Sequence, residues 1–362
     1  MIKREAIFSD ETNGYVNPSE PGAYDNISIC IRVAKDDVDR VEILHGKNYS
    51  EATLLRKYHS DYYFDYYKIF TDISNVVFRY VFRISKGKET VYYDRVGVSD
   101  GIRVFQGFEI IPDFKTPDWA KGAIMYQIFV DRFCRGDSSN DVLDDEYIYL
   151  GVPCTRTTDW YEYPSNFDVG YFYGGDLQGV MNKLDYLKSL GVEAIYFNPI
   201  FVSPSNHKYD TQDYEHIDPH YAKIVNDGGE LVDPEAEDNL KATKYIIRTT
   251  DKENLEASDR FFANFVEIAH QKGIKIILDG VFNHCGSFHK WLDKEFIYKN
   301  AKGYPKGAFH GVDSPYRSYF RFYEDTDSYD GWWGHSTLPK LFYENSDKLV
   351  SEILAIARKW IS

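Results

Sequence analysis

Little in this sequence points toward membranes, nucleic acids or an oxidising compartment. Its four cysteines, Cys30, Cys134, Cys154 and Cys285, stand far apart with no CxxC pair, which argues for free thiols rather than a disulfide frame. No run approaches the roughly 20 apolar residues of a membrane helix. The opening MIKREAIFSD lacks the apolar stretch of roughly 7–15 residues that marks a signal peptide. A cytoplasmic protein without a membrane partner is expected. Basic residues are also in deficit: 42 Lys plus Arg face 57 Asp plus Glu, for a net charge of −15. That charge repels phosphate backbones, so no nucleic-acid partner is expected. Neither GxGxxG nor GxxxxGK[ST] occurs, which removes the usual phosphate-binding turn of a doubly wound sheet.

What is abundant is aromatic. Phe, Trp and Tyr make up 17% of the chain, with 31 tyrosines, far from the composition of a disordered segment. At roughly 150 residues per domain, 362 residues give two domains or three. Ile27, Ile29, Ile31 and Val33 alternate with Ser28, Cys30, Arg32 and Ala34, and Phe78, Tyr80, Phe82 and Ile84 alternate with Arg79 and Arg83. This period of two predicts half-buried strands. Residues 85–88 separate the second run from Val91, Tyr92 and Tyr93 as a hairpin loop, and several such strands make a β-sandwich over residues 1–115. Residues 111–119 hold Pro112 and Pro117 without periodicity, so the domain boundary is placed there.

Beyond Trp119 the pattern changes. A strand at 124–130 is followed by a helix from Leu177, with Val180, Met181, Leu184, Leu187 and Leu190 on one face and Gly191 at its end. A strand at 193–197, a helix carrying Phe261, Phe262, Phe265 and Ile268 and closed by Gly273, and a strand at 274–281 come next. Alternating β and α predicts a parallel sheet. Long loops after the strands favour the first part of an eight-stranded (β/α)8 barrel, about three β/α units over 120–284. A loop subdomain rich in Gly, Tyr and Phe is expected at 285–340. A third barrel helix at 341–362, striped by Leu349, Ile353, Ile356 and Trp360, ends before a fourth strand.

Three segments carry chemistry. Leu278-Asp279-Gly280-Val281-Phe282-Asn283-His284 gathers an acid, an amide and an imidazole where barrel enzymes keep polar groups; taken alone, Asp279 also reads as a buried loop anchor. His284 and Cys285 are adjacent and point to opposite faces, so they form no nucleophile and base pair. Asn206-His207-Lys208-Tyr209-Asp210-Thr211-Gln212-Asp213-Tyr214 mixes aromatic faces with hydrogen-bonding groups, as a pyranose ring requires; a loop pinned by salt bridges is the other reading. Asp137-Ser138-Ser139-Asn140-Asp141 packs hard oxygen ligands closely enough for Ca²⁺, or forms a solvated acidic turn. No HExxH accompanies His284, Cys285 and His289, so zinc hydrolysis is not indicated.

Together these segments resemble the α-amylase superfamily of glycoside hydrolases, in its neopullulanase, cyclomaltodextrinase and maltogenic amylase branch. Residues 123–133 (AIMYQIFVDRF) look like that branch's first barrel strand, and residues 173–179 (YGGDLQG) like its lead-in to the first helix. Residues 206–214 are similar to its sugar-contact loop, residues 278–284 to its first conserved region, and the N-terminal sandwich to its starch-binding-type module. The resemblance implies a retaining α-glucan hydrolase acting on maltodextrins, cyclodextrins or pullulan, with α-glucan oligosaccharides as partners. It further implies that His284 hydrogen-bonds the sugar before the scissile bond, that Tyr209 stacks on that sugar and that His207 sits beside it. Asp279 would orient an arginine, with Asn283 and Asp213 in support. Calcium is implied on Asp137, Asn140, Asp141, the Gly174 carbonyl and Asp176, with no other cofactor. Arg135 stands where the family has Asn, which removes one ligand and supplies a positive charge of its own. A homodimer through the N-terminal module is the remaining implied partnership.

Retaining glycosidases use two carboxyls about 5 Å apart, and in this family the nucleophile lies in a Gly-x-Arg-x-Asp motif on the fourth strand, the acid/base on the fifth. No Gly-x-Arg-x-Asp occurs, and the only Arg after Arg321 is Arg358. The expectation is the N-terminal portion of a longer hydrolase, inactive alone. The alternative is a non-catalytic α-glucan-binding protein or a truncated inactive fragment.

Overall fold

In the computed structural model, which describes residues 1–323 and 328–362, the chain divides into the units Met1–Gly122 and Ala123–Ser362. In the first unit the alternating segments become two antiparallel sheets. Asn26–Ala34 pairs with Phe64–Asp72 in a four-stranded sheet, and Phe78–Lys86 lies between Arg40–His45 and Glu89–Asp94 in the other. Ile29, Ile31 and Val33 of one sheet and Val41, Ile43, Phe82 and Ile84 of the other close a single core. Ser28 and Cys30, expected on a solvated face, are buried too. Tyrosines line that face: Tyr58 lies against Cys30, and burial pushes its phenol up to about 12. The hairpin is tighter than the sequence suggests. Lys86 is opposite Glu89, so only Gly87 and Lys88 form the turn, with Gly87 at φ +55 as a two-residue hairpin turn demands.

In the second unit three parallel strands, Met125–Ile128, Ala194–Phe197 and Lys275–Ile277, form one sheet in that order. The first crossover helix is divided into Leu177–Asn182 and Leu184–Ser189, because Lys183 (φ −102, ψ 2) leaves the helical region. Leu177, Val180, Leu184 and Leu187 still share a fully buried face. The second crossover uses Thr243–Thr250 and the longer Lys252–Gln271, which turns Phe262 and Phe265 inward. The third strand stops at Ile277, short of the expected 281. Among the described residues only Ala194–Phe197 pairs with it, so residues 278–281 have no ladder to hold them extended.

A hairpin of Phe201–Val202 and Asp213–Ile217 carries residues 203–212 beyond the second strand. The described residues of 285–340 are irregular apart from single-turn helices and isolated bridges, yet Trp291, Leu292 and Tyr319 within them have no exposed surface. The last helix, Asp347–Ile361, is capped by the Ser346 hydroxyl, which accepts from Leu349 N–H at 3.2 Å. It buries Leu349, Ile353 and Ile356, and its Trp360 Nε1 donates to the Tyr214 carbonyl at 2.8 Å. No helix among the described residues is long and apolar enough to cross a membrane.

Candidate functional site

His207, Tyr209, Asp279, Asn283 and His284 come together beyond the C-terminal ends of the second and third strands. The Tyr209 hydroxyl donates to Asp279 Oδ2 at 3.2 Å. Tyr196, on the second strand, faces the same carboxylate; burial, reinforced by the Asp279 charge, pushes its phenol up to about 12. Both phenols therefore stay protonated and act as donors. The Tyr209 N–H donates to His207 Nδ1 at 3.1 Å, which leaves Nε2 as the ring nitrogen able to donate. The two rings lie 5.9 Å apart, and both remain half-buried.

His284 is tied in more completely. Its Nε2 donates to the Tyr209 carbonyl at 3.1 Å, and its Nδ1 accepts from Asn283 Nδ2 at 3.3 Å. Burial lowers its pKa, consistent with this neutral tautomer. The ring face is covered as well, by Trp332, stacked at 4.8 Å and 12°. Trp332 reaches it because residues 283–287 run antiparallel to 337–341: Leu341 N–H donates to the Asn283 carbonyl and Cys285 N–H to the Pro339 carbonyl, each at 3.1 Å. Trp333 stacks on Trp332 at 4.5 Å and is 82% exposed. Tyr209, Asp279 and His207 thus keep accessible polar groups, whereas both ring nitrogens of His284 are engaged, Nδ1 by the exposed Asn283 amide.

Asp213 does not join this group. It is fully buried and accepts from Lys290 Nζ at 2.8 Å; burial works to raise its carboxyl, but Lys290, His216 and the Glu215 N–H together hold it below the usual range. Beneath the 203–212 loop runs a second buried chain of charges. Lys208 Nζ donates to the Ser203 carbonyl at 2.9 Å and to Asp218 at 2.6 Å; His220 bridges Asp218 and Glu146; Arg248 donates to Glu146 at 2.7 Å. This network accounts for Lys208, whereas Asp210 of the same loop accepts from the Ser205 hydroxyl.

In the acidic segment, Asp176 accepts from Gly136, Asp137 and Gly179 N–H groups at 2.6–3.0 Å, and its pKa is raised by burial. Asp137 accepts from Ser139 and from Lys223 Nζ at 3.0 Å. Asp141 receives both Nε and Nη2 of Arg135, and Arg156 as well. Asn140 Nδ2 donates to the Ala222 carbonyl at 3.2 Å, while its buried Oδ1 has no protein partner. Gly174 (φ +78) lies under these groups: a Cβ there would stand 2.7 Å from Asp141 Oδ1 and 3.7 Å from Arg135 Cδ.

The family described as "Alpha amylase, catalytic domain" matches residues 127–243 and 258–362, which include this whole site, and "Alpha amylase, N-terminal ig-like domain" matches residues 1–106. The chain belongs to the α-amylase family. It is 32% identical to Neopullulanase 2 of Thermoactinomyces vulgaris over 370 residues, covering 99% of this chain and 53% of that protein. It is likewise 32% identical to a cyclomaltodextrinase of Thermoanaerobacter pseudethanolicus, covering 95% of this chain and 49% of the relative. A solved cyclomaltodextrinase superposes with a TM-score of 0.52 at 26% identity, covering 100% of this chain and 54% of that one. This α-amylase-family chain thus spans about half the length of these relatives.

Sequence reasoning about this α-amylase-family chain missed Tyr196, Trp332 and the Asp218–His220–Glu146–Arg248 network. Tyr196 sits inside an apolar strand whose pattern marks it as core. The only signal for Trp332 was the Trp-Trp-Gly at 332–334, far along the chain from His284.

Proposed function

We propose that this chain supplies the α-glucan-binding half of a retaining glycoside hydrolase active on maltodextrins, cyclodextrins or pullulan. The observation that carries the reading is the Tyr209–Asp279–His207 group, with an aromatic ring and three polar groups within one sugar's reach of each other. The Tyr209 ring offers the apolar face, its hydroxyl and the Asp279 carboxylate offer a donor and an acceptor, and His207 Nε2–H adds a second donor. Nothing in the 362 residues matches Gly-x-Arg-x-Asp. We therefore assign the nucleophile and acid/base carboxyls to sequence beyond these residues, with the three parallel strands as the first part of a (β/α)8 barrel. Four free cysteines support a reducing, cytoplasmic setting.

The test is titration of the 362-residue chain with β-cyclodextrin and maltohexaose by calorimetry, alongside a reducing-sugar assay on both and on pullulan. Saturable binding without release of reducing ends is expected, with Tyr209→Ala weakening binding at least about tenfold, roughly 1.4 kcal/mol. Turnover by the 362-residue chain itself would overturn the assignment of the missing carboxyls. Absence of binding to any of these glucans would overturn the site.

A further inference from the structure

The family resemblance puts a calcium ion among Asp137, Asn140, Asp141, Gly174 and Asp176, and the chemistry of those donors in this chain argues against one. Both Asp141 oxygens are engaged by guanidinium groups, Arg135 through two nitrogens and Arg156 through one. The Asp176 oxygens are filled by three backbone N–H groups, and Asp137 is shared between Ser139 and Lys223. Asp141 is paired with both Arg135 and Arg156, and Asp137 with Lys223, so three cations already balance the cluster's three carboxylates. The Arg135 side chain lies over Gly174 beside Asp141, where the Gly174 carbonyl and Asp141 would have to converge on an ion. A divalent ion there would stand against a fixed guanidinium with its best carboxylate already occupied, and Ca²⁺ takes six to eight oxygens. Asn140 Oδ1 is the one buried side-chain acceptor of the set left without a protein partner, and a single neutral amide oxygen is as well met by a water molecule as by an ion.

We infer that Arg135 takes the cation's place, so that this loop cluster is held by an internal guanidinium and binds no calcium. The planar fork fits this position, since it meets Asp141 with two nitrogens in fixed geometry, where a lysine offers a single point charge. The cluster ties the 135–141 loop to the turn before the helix Leu177–Asn182, so its integrity is read as stability rather than as catalysis.

The experiment uses the 362-residue chain, stripped with EDTA and then titrated with CaCl2 by calorimetry, with melting temperatures read in EDTA and in millimolar Ca²⁺. No saturable heat and no change in melting temperature are expected. Arg135→Asn restores the oxygen ligand and removes the charge; it is expected to melt about 3–6 °C lower in EDTA and to recover part of that loss in Ca²⁺. Arg135→Lys should melt lower than wild type and ignore Ca²⁺, and it keeps the test open if the Asn variant does not fold. Calcium binding by the wild-type or Lys chain overturns the inference. So does an Asn variant whose melting temperature in EDTA is unchanged, or one destabilised without any response to Ca²⁺.

Discussion

A lysine in the left-handed region with its ammonium sealed from water is a costly arrangement, and Lys208 is one: φ is +57 and 1% of the residue is exposed. The left-handed backbone costs a non-glycine residue roughly 1–2 kcal/mol, and it holds because Nζ is fixed between Asp218 and the Ser203 carbonyl. Lys208→Met leaves the Asp218 charge with His220 alone, and a loss of about 3 kcal/mol in urea unfolding is expected. The buried histidines divide by sign. Burial works to lower the His220 pKa, but Glu146 and Asp218 outweigh it and raise it. Its stabilisation is therefore full below about pH 6.5 and is lost as pH rises through the folded value. His289 and His284 are lowered by burial; their contribution is full above about pH 6.5 and falls as pH drops below it. Histidine NMR should find His220 charged well past about pH 6.5 and His289 neutral below it; an ordinary titration at His220 would refute the network. Which residue types belong to the site was legible in the 206–214 segment, but their division of labour was not. Asp213 read as a supporting residue of the site, and its partner Lys290 lies 77 residues away, a distance no local pattern spans.

At the scale of elements, the helix period was legible and the helix's neighbours were not. Val180, Leu184 and Leu187 fall on the expected face because burial against a sheet imposes the 3.6-residue stripe whatever the backbone does at Lys183. The third strand was over-read for the complementary reason: the apolar run 274–278 reads as a strand that continues to Val281, but extension depends on a partner that composition does not reveal. The start of the helix Leu177–Asn182 illustrates a constraint visible only in three dimensions. Gly179 stands so close to the preceding loop that a Cβ would come within 1.8 Å of the Cys134 carbonyl, and a Cβ on Gly136 within 2.3 Å of Gly179 N. Neither neighbour is a flexible side-chain end. Gly179→Ala is expected to cost at least about 3 kcal/mol, measured by chemical denaturation, whereas Gly170→Ala, with open space around it and no left-handed backbone to strain, should cost far less.

Across the whole molecule, each unit carries its own core. The sandwich core draws only on residues 2–110, so residues 1–122 expressed alone should unfold in one cooperative transition by circular dichroism; a non-cooperative melt would show that this core is insufficient. The second unit leaves one face of its sheet open. Phe201, Phe262, Ile277, Phe282, Trp360 and Ile361 line a cavity of about 580 Å³ beside the third strand, whose far edge has no pairing partner among the described residues. Such a surface draws apolar dyes and unpaired edges. The 362-residue chain is expected to enhance ANS fluorescence and to self-associate with rising concentration in light scattering. The 203–212 loop behaves in the opposite way. Its backbone is fastened by Asn206 N–H to the Val169 carbonyl at 2.9 Å, Lys208 N–H to Ser205 Oγ at 3.0 Å and Gln212 N–H to the Val202 carbonyl at 2.7 Å, above a salt-bridged floor. Amide deuteration there should be slow without any ligand, so a glucan would meet a surface already rigid, and its binding entropy would report displaced solvent rather than a loop brought to order.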